Sequence, residues 1–386
     1  MNRSICPTCN KPSDYLLDWA YSGLNKSVFN YIAKYYHCQH CGLVYIKNIS
    51  DKTLAIFYSQ ECSYFEKDHF DITSPENIKK YSFYKEFIIR SGLSNVPVTD
   101  IGCGRGGFLT WLVDNQWDEV CLGVDIDIKS IPSSTENKLQ LSFLEGKAVD
   151  LPFARNSQSL LTYFHVFEHI HSIDCVLDEA VRVLHEDGHI LIEVPDAQRY
   201  KEYPVGTAFW FGIREHIYHF TSSSLVNALI RYNFEIINIS QQILPTPEFS
   251  YPSLIILAKK VKKQVQKQTQ IHYTSCIQEF IVQSQNALKA QTDLIQNIYN
   301  KKTKLIFWGC SSELFSLLPT LNIQNYTLCD SSKQKQNMNY KGLPIEDPIS
   351  IPTSGTLIIA PYLHSSKIEQ QAINLGWQKK DIIRLK

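Results

Sequence analysis

Long apolar runs are missing from this chain. No stretch approaches the roughly 18 consecutive apolar residues that a membrane-spanning helix needs, so no membrane role is expected. An excess of charge of either sign is missing too. Lys+Arg and Asp+Glu number 38 each, for a formal net charge of zero. That balance argues against coating a polyanion, which needs a basic surface, and makes nucleic acid an unfavoured partner. The first residues, Met1-Asn2-Arg3-Ser4-Ile5-Cys6, show no apolar secretion signal, so a cytoplasmic location is expected. The eleven cysteines are then better read as reduced thiols and metal ligands than as disulfides. What is abundant is core-forming material: 44% hydrophobic residues over 386 positions, enough for two or three domains.

The most informative stretch is Val98-Thr99-Asp100-Ile101-Gly102-Cys103-Gly104-Arg105-Gly106-Gly107. It reads as a buried strand running into a glycine loop, with a helix from about Gly107 to Asn115. Glycines let the backbone turn sharply and approach a ligand closely, and the helix start offers unpaired N–H groups. A second strand, Cys121-Leu122-Gly123-Val124-Asp125, ends on an acid suited to ribose hydroxyls. The spacing is D-x-G-x-G-x-G rather than the dinucleotide pattern G-x-G-x-x-G. An anion at Asp100 disfavours a pyrophosphate and suits a cationic amino-acid ligand.

Further segments follow in order. They are Ala148-Val149-Asp150-Leu151-Pro152-Phe153, the strand Leu160–Phe164, His165-Val166-Phe167-Glu168-His169-Ile170, an amphipathic helix over Val176–Leu184, and the strand His189–Val194 closed by Pro195. Residues 90 to 260 thereby resemble the S-adenosylmethionine (SAM) dependent, Rossmann-like methyltransferases. The resemblance implies a SAM site lined by Asp100, Gly102, Gly104, Gly106, Asp125, Asp150, Leu151 and His165, with Asp150 beside the adenine.

Cys6-Pro7-Thr8-Cys9 and Cys38-Gln39-His40-Cys41 are paired C-x-x-C knuckles. Cys6, Cys9, Cys38 and Cys41 together complete a tetrahedron for one structural zinc ion, with His37 and His40 taken as non-ligands. Between this ribbon and the glycine strand lies a lead-in with a helix from about Pro75 to Arg90, whose inward stripe is Ile78, Tyr81, Tyr84, Lys85 and Ile88. Tyr58 and Tyr64 in this lead-in are candidates for substrate contact or for packing.

After the fifth strand comes Gly212-Ile213-Arg214-Glu215-His216-Ile217-Tyr218-His219-Phe220-Thr221, followed by a helix capped at Thr221 or Ser222. A Glu-His pair on a loop above a methyl donor stands where an acceptor proton must be removed. His216 is the candidate base, Glu215 its orienting carboxylate and Tyr218 a candidate substrate contact; the competing reading is that His216 and His219 anchor the loop. Farther on, Ile277, Phe280, Ile281, Ala287 and Leu294 recur at helical intervals, and strands at Lys304–Trp308, Tyr326–Asp330 and Thr356–Ala360 describe a small βαβ unit.

The expected architecture is α/β: a zinc ribbon (1–50), a helical lead-in (51–90), a Rossmann-like methyltransferase domain (91–262), a connecting helix (263–304) and a small C-terminal Rossmann-like domain (305–386). This order resembles the C-methyltransferases of nucleotide-linked 4-keto-6-deoxy sugars. The resemblance implies a nucleotide-sugar substrate, His216 of the Glu215–His216 pair as the base that forms an enolate, and His169 as a second active-site histidine. The chain departs from that group at Ile213, where the group has tyrosine, and at Gly309-Cys310-Ser311-Ser312-Glu313, where the group has a Gly-Ala-Pro-Ala-Lys-Gly loop. O-methylation of a glycan precursor or secondary metabolite is the alternative, and a zinc-ribbon RNA methyltransferase is an alternative of another class. Oligomeric state is not legible.

Overall fold

The structure is a computed structural model that describes residues 3–25, 27–61, 71–129, 131, 138–202, 209–246, 249–262 and 276–385. Tyr64 lies outside the described residues. Three sheets organise the chain.

The central sheet has seven strands in the order Phe234–Pro245, Ser250–Lys260, Leu184–Pro195, Gln158–Phe164, Val98–Ile101, Cys121–Asp125 and Leu141–Glu145. The last five run parallel, and the first two pair antiparallel at one side. Val98–Ile101 is buried throughout, as expected of an inner strand with helices on both faces. Strand order reverses on either side of Val98–Ile101, which opens a crevice at the carboxyl ends where ligands of such sheets bind. Helix Pro75–Arg90 starts on Ser74, whose hydroxyl accepts the Asn77 N–H, and buries Asn77, Tyr81, Tyr84, Phe87 and Ile88. Ile78 is 40% exposed, a correction to the expected stripe: the buried face is centred one residue earlier, on Asn77.

The first sheet is antiparallel: Arg3–Ile5, Pro12–Ala20, Ile32–His37, Val44–Ile46 and, from far along the chain, Tyr218–His219. The Glu-His loop thus donates its last residues to the cysteine-bearing sheet. Helix Ser222–Arg231 strengthens the join from both ends. Its N-cap Thr221 donates to the Cys41 carbonyl, and Arg231 near its end donates to the carbonyls of Pro7 and Thr8. The cysteine-bearing sheet and the central sheet share one continuous core.

The third sheet has six strands in the order Asn339–Tyr340, Leu343–Glu346, Thr327–Cys329, Leu305–Trp308, Thr356–Ile359 and Ile382–Arg384, with separate apolar clusters on its two faces. Helix Cys276–Asn300 bridges the cores, placing Ile277, Phe280 and Ile281 in the large one and Ile295 in a smaller one. Leu294 is 44% exposed, and its neighbour Ile295 takes the buried position. No described helix is long and apolar enough to cross a membrane.

Candidate functional site

The crevice is built first by the glycine turn. Gly102, Gly104 and Gly106 all have positive φ. A Cβ on Gly106 would strike the Phe143 ring at 2.5 Å, a packing demand. A Cβ on Gly104 would meet nothing within 4 Å, so here the chain keeps an open approach rather than a tight fit. Asp125, at the tip of the neighbouring strand, accepts the Gly104 N–H (2.8 Å) with Oδ2 and the Asp127 N–H (3.3 Å) with Oδ1. Burial raises its carboxyl, and these backbone donors oppose the shift. Asp100 sits beneath the turn, 4% exposed, accepting the Thr162 hydroxyl at 2.7 Å. Burial pushes the Asp100 carboxyl up to about 7, so a cationic ligand would stabilise its ionised form.

The Asp150–Leu151 turn is held by residues that sequence reasoning did not single out as a unit. The Leu151 N–H donates to Glu179 (2.6 Å), and Arg182, ion-paired with Glu179, donates to the carbonyls of Leu151 and Phe153. Asp150 itself is exposed at the rim.

A second wall follows strand Gln158–Phe164. A Cβ on Gly102 would lie 2.4 Å from the Val166 side chain, so the glycine turn and the 165–169 segment touch. His165, at φ 57°, places its Nδ1 3.0 Å from Glu168 Oε1 and its Nε2 2.6 Å from the Tyr251 hydroxyl. Glu193 lies beyond, accepting from Tyr84, Tyr251 (2.6 Å) and Ser253 (2.8 Å) and lying 3.4 Å from His165 Nε2. Burial would lower the His165 pKa; the Glu193 charge and hydrogen bonding to Glu168 overcome it and raise it to about 9. Burial likewise would raise Glu193, and the His165 charge brings it down to about 2. The two form an ion pair with hydroxyl support, Glu193 fully buried and the His165 side chain 31% exposed. Its signal in the sequence was only the segment His165-Val166-Phe167-Glu168-His169, because Glu193 and Tyr251 lie on other strands.

The Glu-His loop brings His216 to the same edge. The His216 and His169 rings meet edge-on, 4.7 Å between centroids, and the Tyr58 ring lies 6.3 Å from His169. The carboxylate in this group is Glu168, fully buried, with Oε1 3.9 Å from His169 Nε2. One donor atom each from Glu168, His169 and His216 lies within 4.8 Å of the others. Glu215 is half-buried and, among the described residues, makes no hydrogen bond to His216. The neighbouring carboxylate therefore differs from the one expected: the loop is pinned by the Ile217 N–H on the Glu168 carbonyl (2.7 Å), which turns His216 towards Glu168. Burial, then the charges of His169, His219 and His165, hold the His216 pKa well below its ordinary 6.5. The Tyr218 hydroxyl donates to the His171 carbonyl (2.8 Å) and its ring packs on Tyr45. His219 is fully buried with Nδ1 3.2 Å from the Tyr200 hydroxyl, the anchoring role weighed for it.

Away from the crevice, Cys6, Cys9, Cys38 and Cys41 gather their sulfurs within 4.8 Å, with Cys6–Cys41 at 3.6 Å and Cys9–Cys38 at 3.5 Å. Zinc–sulfur bonds of about 2.3 Å in a tetrahedron place sulfurs roughly 3.8 Å apart, so the group fits a four-thiolate ion. Thr8 Oγ1 lies 3.2 Å from Cys6 Sγ and 3.4 Å from Cys41 Sγ, and His40 is exposed.

A family model described as a methyltransferase domain matches residues 78–239. This stretch is a methyltransferase domain. An uncharacterized methyltransferase, YcgJ of Bacillus subtilis, is 29% identical over 100 residues; the match spans 25% of this chain and 39% of that relative's length. Among solved structures, a SAM-dependent methyltransferase from Methanosarcina mazei aligns at 19% identity and TM-score 0.40, covering 46% of this chain and 98% of that one. The crystal structure of YcgJ aligns at 16% identity and TM-score 0.39, over 47% of this chain and 100% of that one.

Proposed function

We propose that the chain methylates a carbon of a small molecule, a nucleotide-linked keto sugar being the substrate class that fits best. SAM would supply the methyl group. Gly102, Gly104 and Gly106 shape its place, Asp125 would hold the ribose, Asp100 would answer the ligand's positive charge, and Asp150 and Leu151 would border the adenine. His165 would brace this wall from behind through its ion pair.

The observation that carries the acceptor side is His216: 7% exposed, kept neutral by its surroundings, and beside the segment that touches the glycine turn. A neutral imidazole can take a proton from carbon next to a ketone, leaving an enolate to attack the methyl group. His169 lies edge-on to it and can hydrogen-bond the acceptor's oxygen. The nucleotide preference is supported by the third sheet: Ser312, opening its first helix, lies against Gly212, on the same loop as His216. An acceptor with a long polar appendage would be held from that side. The cysteine cluster would hold a structural zinc ion, its four thiolates leaving no open coordination position.

The test is a panel of nucleotide-linked keto sugars incubated in deuterated water. Without SAM, the wild type should wash deuterium into the carbon beside the ketone, and His216→Ala should not. With SAM, the product should gain one methyl on that carbon. Methyl gain on oxygen, with no deuterium wash-in, would move the function to O-methylation.

A further inference from the structure

Glu168, His169 and His216 raise a question that proton transfer alone does not answer. The Glu168 carboxylate is fully buried, and its Oε2 has no hydrogen-bond partner among the described residues. The Nδ1 atoms of His169 and His216 are likewise buried without a partner. Buried polar groups are ordinarily paired, so three orphaned atoms from three adjacent side chains point to a ligand that completes them.

From this geometry we infer that Glu168, His169 and His216 bind a divalent transition-metal ion. Two imidazoles and one carboxylate are a donor set for zinc, cobalt, iron or manganese rather than for calcium or magnesium, which prefer oxygen throughout. One donor atom of each lies within 4.8 Å of the others, and bonds of about 2.0–2.2 Å require a closer approach when the ion binds. The surroundings resemble the outer shell such ligands need. His165 holds Glu168 Oε1 at 3.0 Å, leaving Oε2 for the ion, and the Ile217 N–H ties the His216 loop to the Glu168 backbone. Three protein ligands leave coordination positions open towards the crevice, unlike the closed four-cysteine site. The inference concerns the cleft of the proposed function but needs neither its substrate nor its donor. An ion on His216 takes the lone pair that proton abstraction uses, so the two occupations exclude each other.

Full-length protein freed of labile ions by gentle chelation, with the cysteine-bound metal verified by elemental analysis, is titrated with Co2+. One equivalent should bind with weak visible bands and no intense thiolate charge-transfer absorption. His216→Ala and Glu168→Gln should abolish this step. His165→Gln, which frees the ligating carboxylate, should weaken it about 10- to 100-fold. Absence of a saturable equivalent in the wild type overturns the inference without reference to any variant's folding, as does equal uptake by folded His216→Ala. If the equivalent binds and slows turnover, site and base both stand. If the loaded enzyme outpaces the chelated one, the site stands and His216 is a ligand instead of a base. If nothing binds while His216→Ala still abolishes deuterium wash-in, the metal site falls and the base remains.

Discussion

Replacing Asp125 is the sharpest probe of the proposed donor site, because this carboxylate would have two separable duties. It braces the glycine turn by accepting the Gly104 N–H at 2.8 Å, and it would accept the two ribose hydroxyls of the donor. Each hydrogen bond to a charged acceptor contributes about 1.5–3 kcal/mol. Two lost ribose bonds at the lower end therefore remove about 3 kcal/mol, on the order of 100-fold in affinity. Asp125→Ala should weaken binding of S-adenosylhomocysteine by that factor in calorimetry, using the product so that no turnover intervenes. Asp125→Asn keeps an oxygen for the Gly104 N–H but loses the charge, and should fall between, at roughly tenfold. The melting temperature of the unliganded variants separates the bracing duty from the binding one. An Ala variant that binds within about threefold of the wild type, with the same stoichiometry, would refute the ribose assignment.

Three further outcomes follow from the same geometry. Because burial holds the His216 pKa well below 6.5, kcat/KM should stay flat from neutral pH to below that value and decline only in more acid solution; a limb centred on 6.5 would point to a solvated histidine instead. Purified protein should carry about one tightly held zinc per chain, and Cys38→Ser should both release it and depress turnover, since the cysteine-bearing sheet pairs Val44 and Tyr45 with the His216 loop at Tyr218–His219. Full activity in metal-free Cys38→Ser protein would sever that link. Finally, the His165 pKa, raised from 6.5 to about 9, gives a stabilisation fully present below 6.5 and lost as pH climbs through about 9. Glu193, lowered from 4.5 to about 2, gives one present above 4.5 and lost as pH falls through about 2. Chemical denaturation across alkaline pH should show that loss in the wild type, and an identical slope in His165→Gln would rule out this ion pair as its source.

What could be read from the chain depended on how far apart the cooperating residues lie. The glycine turn and Asp125 announce themselves because each closes a strand within one βαβ step, where side-chain chemistry and backbone demand coincide. The two knuckles are legible because C-x-x-C is a local device. Helix existence was equally local, but which face is buried was not. Adjacent residues differ by about 100° around a helix axis, so the offset at Ile78 costs the periodicity little while exposing that side chain.

The histidine cluster marks the limit. Glu215 was the natural partner for His216 because it is adjacent in sequence, yet neighbours along an irregular loop need not face one another. The loop's direction is set by contacts no local pattern encodes: Ile217 bonded to the Glu168 backbone, Ile46 bonded to Ile217, and the two-residue strand Tyr218–His219 on the cysteine-bearing sheet. These contacts turn His216 towards Glu168, 48 positions earlier in the chain's numbering, where His169 and His165 already converge. The N-terminal sheet is thus the template against which the histidine loop is set. The cysteine cluster and the buried carboxylate of the crevice are joined through helix Ser222–Arg231 and the strand before it.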